Sequence, residues 1–314
     1  MVRSWRFGPM ALMRSRAPPL GSYPGTLEEG PPVSISETLN ETPLSSLDLT
    51  RYVTVDTDAT MADTVRSMAD AGESCAIVMD RHDLVGIFTQ RDALRVIGRP
   101  SKWDRPITDE MTKRVRTIGV DGSVSDGLAI MTDWWVRSVP VLDADDELVG
   151  NLSFYTIMQV IADIVAMKAA SSAERSVQHR LAFIDFTGLN TNTPVTVSAD
   201  ETVDVVTHHM RARAIGSVLV VDDRENLIGI VTEYDLLKKL GCDVEDAASV
   251  AVNEVMTPKP FALSARSSLA EAIGEMAALG CAHVPLLGES GRPVGVASFR
   301  DLAAYFEGSV AVLT

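Results

Sequence analysis

The sequence predicts a mixed α/β protein of the α+β kind, built from four copies of one β-α-β-β-α unit set out as two pairs. Three observations carry that prediction. First, a string that ends an apolar strand in a hydroxyl residue and enters a helix recurs as Gly86-Ile87-Phe88-Thr89-Gln90-Arg91-Asp92, Gly229-Ile230-Val231-Thr232-Glu233-Tyr234-Asp235 and Gly295-Val296-Ala297-Ser298-Phe299-Arg300-Asp301. A fourth copy, Gly150-Asn151-Leu152-Ser153-Phe154-Tyr155-Thr156, lacks the acid. Second, the leading glycines lie 64, 79 and 66 residues apart, so a longer connection separates the second copy from the third. Third, the signals around each string keep one order: a short β-branched strand, an amphipathic run, two strands about a turn, and a second helix.

Residues 1–46 are rich in Pro, Gly and Ser without a sustained period, which predicts a disordered extension. Arg3, Arg6, Arg14 and Arg16 meet no acid in the first twenty residues, so this start reads as a transit peptide or, more simply, as an upstream start codon translated. The first pair spans 47–165, with repeats at 47–99 and 106–165. Val53-Thr54-Val55 opens it, followed by a helix over 61–71, a strand from Cys75 to Met79, a turn at Asp80 to Asp83, a strand from Leu84 to Phe88 and a helix from Gln90. Asp109-Glu110-Met111-Thr112 leads into the second repeat, whose first helix ends at Trp134-Trp135, an aromatic pair suited to plugging a cleft or forming an interface. Residues 154–180 hold no Gly or Pro and predict helix, with 166–182 as a helical linker.

The second pair spans 183–308, with repeats at 183–241 and 250–308. Val195-Thr196-Val197, a helix over 201–213, Ser217 to Val221, a turn at Asp222-Asp223 and Leu227 to Val231 repeat the first plan. Glu254-Val255-Met256-Thr257-Pro258 leads into the fourth repeat and matches the linker of the first pair. Met68, Met131, Met210 and Met276 each stand twelve residues before a turn residue, a regularity best explained by thioethers filling the core.

A formal net charge of −15 lowers the prospect of binding a phosphate backbone. Cys75, Cys242 and Cys281 are odd in number and form no CxxC pair, which argues against a disulfide framework or zinc site and for a reducing, cytoplasmic setting. No apolar run reaches the roughly 18–20 residues that span a bilayer. His208-His209 lacks the spacing that places two metal ligands on one helix face, so no metal is expected. No nucleophile–base set or phosphate loop appears either, so no catalytic residues and no enzyme are predicted.

Four strings in register resemble tandem CBS (cystathionine β-synthase) domains arranged as two Bateman modules, and the resemblance covers about residues 48–308. It implies two pseudo-twofold pairs with nucleotide clefts, which in some relatives form a disc; the four-repeat plan is similar to that of the gamma subunit of the AMP-activated protein kinase. It further implies that Asp92, Asp235 and Asp301 hold a ribose while Thr89, Thr232, Ser298 and, in the defective copy, Ser153 meet phosphate. The chemistry agrees: a carboxylate accepts two charge-assisted hydrogen bonds from a vicinal diol, and a hydroxyl beside free helix amides suits phosphate oxygens. Arg91 and Arg300 add positive charge one residue before the acid. Cys75, Ser138, Ser217 and His283 align where nucleotide-regulated relatives often carry a phosphate-binding base, so His283 is a candidate, with Arg137 beside it in the second repeat; a strand-capping His283 facing solvent is the plain alternative.

The resemblance therefore implies a non-enzymatic ligand-sensing protein. AMP, ADP or ATP is the favoured ligand, S-adenosylmethionine or NAD a less favoured one, and no catalytic cofactor is expected. The expected partners are this small molecule and a regulated protein, with homodimerisation left open. Two alternatives stand beside it: an interaction scaffold with empty clefts, and a nucleic-acid-associated transcriptional regulator.

Overall fold

The computed structural model describes residues 35–170, 186, 193–240, 246–299 and 301–302. A helix α1 (Ile35–Glu41) precedes the first repeat, which comprises β1 (Val53–Asp56), α2 (Met61–Ala71), β2 (Cys75–Asp80), β3 (Asp83–Thr89) and the short α3 (Gln90–Ala93). The second holds β4 (Ile118–Gly119), α4 (Val124–Asp133), β5 (Ser138–Leu142), β6 (Leu148–Ser153) and α5 (Phe154–Ala170). The third holds β7 (Thr196–Ser198), α6 (Val203–Arg213), β8 (Ser217–Val221), β9 (Leu227–Thr232) and α7 (Glu233–Leu240). The fourth follows a turn of helix, α8 (Val252–Val255), and a short strand, β10 (Thr257–Pro258), and holds β11 (Leu263–Ser264), α9 (Leu269–Leu279), β12 (His283–Leu287) and β13 (Pro293–Ser298).

Local chemistry sets these bounds. Thr60, Ser123 and Ser268 cap α2, α4 and α9 by accepting a hydrogen bond from the backbone three residues on, and α2 and α9 stop at Gly72 and Gly280, both left-handed. In every repeat the first strand runs parallel to the middle strand, and the middle strand forms an antiparallel hairpin with the third. The hairpins share a bulge at one place: Val78/Met79, Val141/Leu142, Val220/Val221 and Leu286/Leu287.

The string glycines sit beside that bulge because the linkers cross there. A Cβ on Gly86 would fall 2.3 Å from Met111 Sδ, and one on Gly229 2.5 Å from Met256 Sδ. Thr257–Pro258 continues this contact as an edge strand on β9, and Ile87 bridges Thr112 at the matching place. Leu49 does the same for the second repeat, lying against Gly150 while its carbonyl accepts the Asn151 N–H at 2.9 Å.

The core divides by alternate repeats. One apolar cluster joins the first and third repeats through Met68, Phe88, Met210 and Val231, and a second joins the second and fourth through Met131, Leu152, Met276 and Ala297. All four aligned methionines are buried, as their spacing predicts. Helices carry the contact between pairs, α3 against α7 and α5 against α9, with the Phe154 and Phe299 rings 5.0 Å apart.

One expectation is corrected. Residues 35–46, expected to be disordered, form α1 and a turn of 3-10 helix, Leu44–Ser46. Ile35, Leu39 and Leu44 are buried in the cluster of the second and fourth repeats, and this tertiary burial holds a seven-residue helix that propensity alone would not. The rest of the expected disordered segment, residues 1–34, lies outside the described residues. The helix through 165/166 is continuous to Ala170, and 171–182 lie outside the described residues.

Candidate functional site

Each string closes on itself in the same way. Cys75 pairs with Thr89, Ser138 with Ser153, Ser217 with Thr232 and His283 with Ser298, so the aligned positions occupy one place in all four hairpins. The residue after the hydroxyl donates its N–H across the hairpin base: Gln90 to Ser74, Phe154 to Arg137, Glu233 to Gly216 and Phe299 to Ala282, at 2.9–3.1 Å. The acid then folds back on the strand end. Asp92 Oδ2 accepts from the Thr89 N–H at 2.8 Å and its hydroxyl at 2.7 Å; Asp235 Oδ2 accepts from Thr232 at 2.9 and 2.6 Å; Asp301 Oδ2 accepts from Ser298 at 2.8 and 2.6 Å. These are capping boxes, and they use one carboxylate oxygen each.

The second oxygen distinguishes the repeats. Oδ1 of Asp92 meets Arg95 at 2.6 Å, and Oδ1 of Asp235 meets Lys239 at 3.1 Å and the Thr257 hydroxyl at 2.7 Å. Both carboxylates are buried. Asp301 is half-buried, and among the described residues its Oδ1 has no donor. In the second repeat Ser153 and Thr156 make one hydroxyl pair at 3.0 Å, with the Thr156 N–H on the Ser153 oxygen at 3.1 Å. Among the described residues no carboxylate joins that pair.

The cationic candidates meet on a residue that the sequence reading passed over. Glu233, 2% exposed, binds Arg137 Nη2 at 2.7 Å and Arg91 Nε at 3.3 Å. Gly216, whose carbonyl anchors the Glu233 N–H, leaves no room for a side chain, since a Cβ there would stand 2.7 Å from His283 Nε2 and 3.1 Å from Arg137 Nη2. His283 is half-buried, so it does not simply face solvent. Arg300 lies outside the described residues. A lone first-turn acid reads in sequence as a dipole effect; the signal available was that the other three repeats hold neutral Gln90, Phe154 and Phe299 at this place.

A family model for the CBS domain matches residues 44–99, 107–163, 187–241 and 252–308. The chain belongs to the CBS domain family. A solved structure of a Methanocaldococcus jannaschii protein, described as a proposed archaeal homologue of g-AMPK, is similar over 83% of this chain and 98% of its own, with a TM-score of 0.70 and 17% identity. The CBS domain-containing protein CBSCBSPB5 of Arabidopsis thaliana is 25% identical over 293 residues, covering 84% of this chain and 53% of that protein. An uncharacterized Methanocaldococcus jannaschii protein is 27% identical over 205 residues, covering 64% of this chain and 44% of its own length. The chain thus spans about half the length of these two curated relatives.

Several further features of the CBS repeats bear on the candidate site. Asn151 is 1% exposed in the second CBS repeat, beside Cys75 and Arg51, and its Oδ1 has no hydrogen-bond partner among the described residues. Burial pushes the Cys75 and Cys281 thiols up to about 11, so both are neutral fillers rather than nucleophiles. Trp134 and Trp135 are 54% and 64% exposed, with Arg116 stacked 3.3 Å over Trp134, so the pair does not plug a cleft. A cavity of about 370 Å³ is lined by Asp83, Lys113, Arg114 and Asp146 at the hairpin-turn end of β3, the opposite end from Thr89 and Asp92, and it is not the site built by the strings. Among the described residues no cluster would hold a metal ion, and no helix is long and apolar enough to cross a membrane.

Proposed function

We propose that this CBS protein is a non-enzymatic sensor of adenosine-containing ligands, AMP, ADP or ATP first among them, which passes their occupancy to a partner protein. One observation carries the reading: a strand-end hydroxyl and a helix carboxylate recur in three of four repeats, with one carboxylate oxygen of Asp301 outside its cap and without a donor among the described residues. That oxygen is an acceptor for a ribose diol, and Ser298 with the helix amides beside it suits a phosphate. Thr89 with Asp92 and Thr232 with Asp235 form equivalent sites whose cations must move aside, whereas Ser153 with Thr156 offers only neutral hydrogen bonds. Signalling follows by population shift: the ligand favours whichever packing of the repeats it binds more tightly, by no more than that difference in affinity.

The test is a thermal-shift series with AMP, ADP, ATP, S-adenosylmethionine and NAD on the native chain and on Asp301→Asn, which keeps an acceptor for the cap. A ligand at 100 times its dissociation constant adds about 2.7 kcal/mol, or a Tm rise of roughly 4–5 °C for a chain of this size. The rise is expected to shrink in Asp301→Asn. No rise with any of the five ligands would instead favour an interaction scaffold, a reading supported by the internally satisfied carboxylates of Asp92 and Asp235.

A further inference from the structure

We propose that Arg91 and Arg137, with His283 alongside, form an anion subsite shared among the repeats, and that Glu233 occupies this subsite from within as a built-in competitor for a phosphate. The residues come from all four repeats: Arg91 from the first, Arg137 from the second, Glu233 from the third and His283 from the fourth. The helix does not need Glu233 as a cap, because Asp235 already fills that role through Thr232. Its carboxylate lies inward, its side chain 2% exposed, while the Arg91 and Arg137 side chains are 35% and 26% exposed. The cations therefore stand at the mouth with the acid behind them.

A carboxylate presents two oxygens to two guanidinium groups in the way a phosphoryl group does. With Glu233 in place the pair of arginines is already matched, and a dianionic ligand gains only the difference between its own contacts and those it breaks. With Glu233 displaced, two guanidinium groups face one another across a space bordered by the His283 imidazole, an arrangement that demands an anion. Gly216 lets the two side chains come together: a Cβ there would stand 2.7 Å from His283 Nε2 and 3.1 Å from Arg137 Nη2. The residue that sets selectivity for charge is thus Glu233, and a ligand with an uncharged 5′ group escapes the competition. The choice of nucleotides as probes rests on the function proposed above; the anion subsite itself does not.

The experiment compares the native chain, Glu233→Gln and Glu233→Gln/Arg137→Gln by titration calorimetry with adenosine, AMP and inorganic pyrophosphate, after circular dichroism has confirmed that each is folded. In the native chain AMP and adenosine are expected to bind within about threefold of each other. Loss of a competing charged contact in Glu233→Gln is expected to tighten AMP and pyrophosphate by roughly 10- to 100-fold and leave adenosine unchanged. The double variant, with Arg91 as its one guanidinium and so back at the native net charge of the cluster, is expected to lose most of that gain. AMP and pyrophosphate binding unaltered by Glu233→Gln would overturn the proposal, as would a native preference for AMP over adenosine of more than about 30-fold, which also decides the matter if Glu233→Gln fails to fold. If neither adenosine nor AMP binds any of the three proteins, the adenosine reading falls, and pyrophosphate binding by Glu233→Gln still decides for or against the subsite.

Discussion

Replacing Asp235 by Ala should destabilise the protein in the absence of any ligand. Its Oδ2 caps α7 through the Thr232 N–H, and loss of such a cap costs about 1 kcal/mol. Its Oδ1 neutralises Lys239 and accepts from Thr257, but Lys239 is 35% exposed and Thr257 is exposed, so water replaces both in part and the further loss is about 1 kcal/mol. The sum of about 2 kcal/mol lowers Tm by roughly 3–4 °C for a chain of this size. Asp235→Asn keeps a side-chain acceptor for the Thr232 N–H, and Asn caps about as well as Asp, so it should lose less than half as much. Differential scanning calorimetry of the ligand-free proteins makes the comparison. An unchanged Tm in Asp235→Ala would refute the claim that the capping box contributes to the fold, and with it the argument that the string carboxylates serve structure and ligand together.

Two other substitutions probe packing and charge. Gly229→Ala drives a methyl into Met256 and should cost about 1–3 kcal/mol, with partial rescue by Met256→Ala; Gly274→Ala in α9, where nothing lies within 4 Å, should instead stabilise by about 0.5–1 kcal/mol, and urea midpoints report both signs. Lys102 first, and Arg95 with it, holds the Glu110 carboxyl below its ordinary range against the opposing effect of burial. A depressed folded pKa gives stability that is present above the unfolded value of about 4.3 and is lost as pH falls through the folded value. Glu110→Gln should therefore be less stable than the native chain at neutral pH and show a shallower acid limb below about pH 4.3 in urea melts repeated across pH.

The hairpin register was legible because two independent periods agree on it. The glycine fixes where the linker crosses, and the hydroxyl three residues later fixes the strand end, so Thr89, Ser153, Thr232 and Ser298 fall at one place without any knowledge of the tertiary structure. Packing of the first repeat on the third was not legible, because Phe88 and Val231 would satisfy the same pattern against any apolar face. The helix over Ile35–Glu41 was missed for a related reason: seven residues give almost two turns, too few for a period to stand out, and its stability comes from Leu39 and Leu44 being buried far along the chain. Leu49 covers Gly150 without resembling Met111 or Met256 in its sequence surroundings, so its equivalence appears only in space.

The differences among the strings, by contrast, were written beside them. Arg95 stands three residues after Asp92 and Lys239 four after Asp235, the spacings at which helix side chains meet, whereas Ala304 and Tyr305 follow Asp301 at those distances. A capping box turns one carboxylate oxygen toward the backbone and leaves the other to be contested, so the cation one turn on competes with any ligand hydroxyl. At Asp92 the competitor is Arg95, 45% exposed and able to withdraw into water at small cost. At Asp235 two donors hold the same oxygen, and a diol must displace both. On the proposed reading the clefts therefore rank in affinity for a ribose as Asp301, then Asp92, then Asp235, with Thr156 last. The three acid-bearing strings would then fill over successive ranges of one ligand, set apart by whether a cation stands one helical turn after the carboxylate.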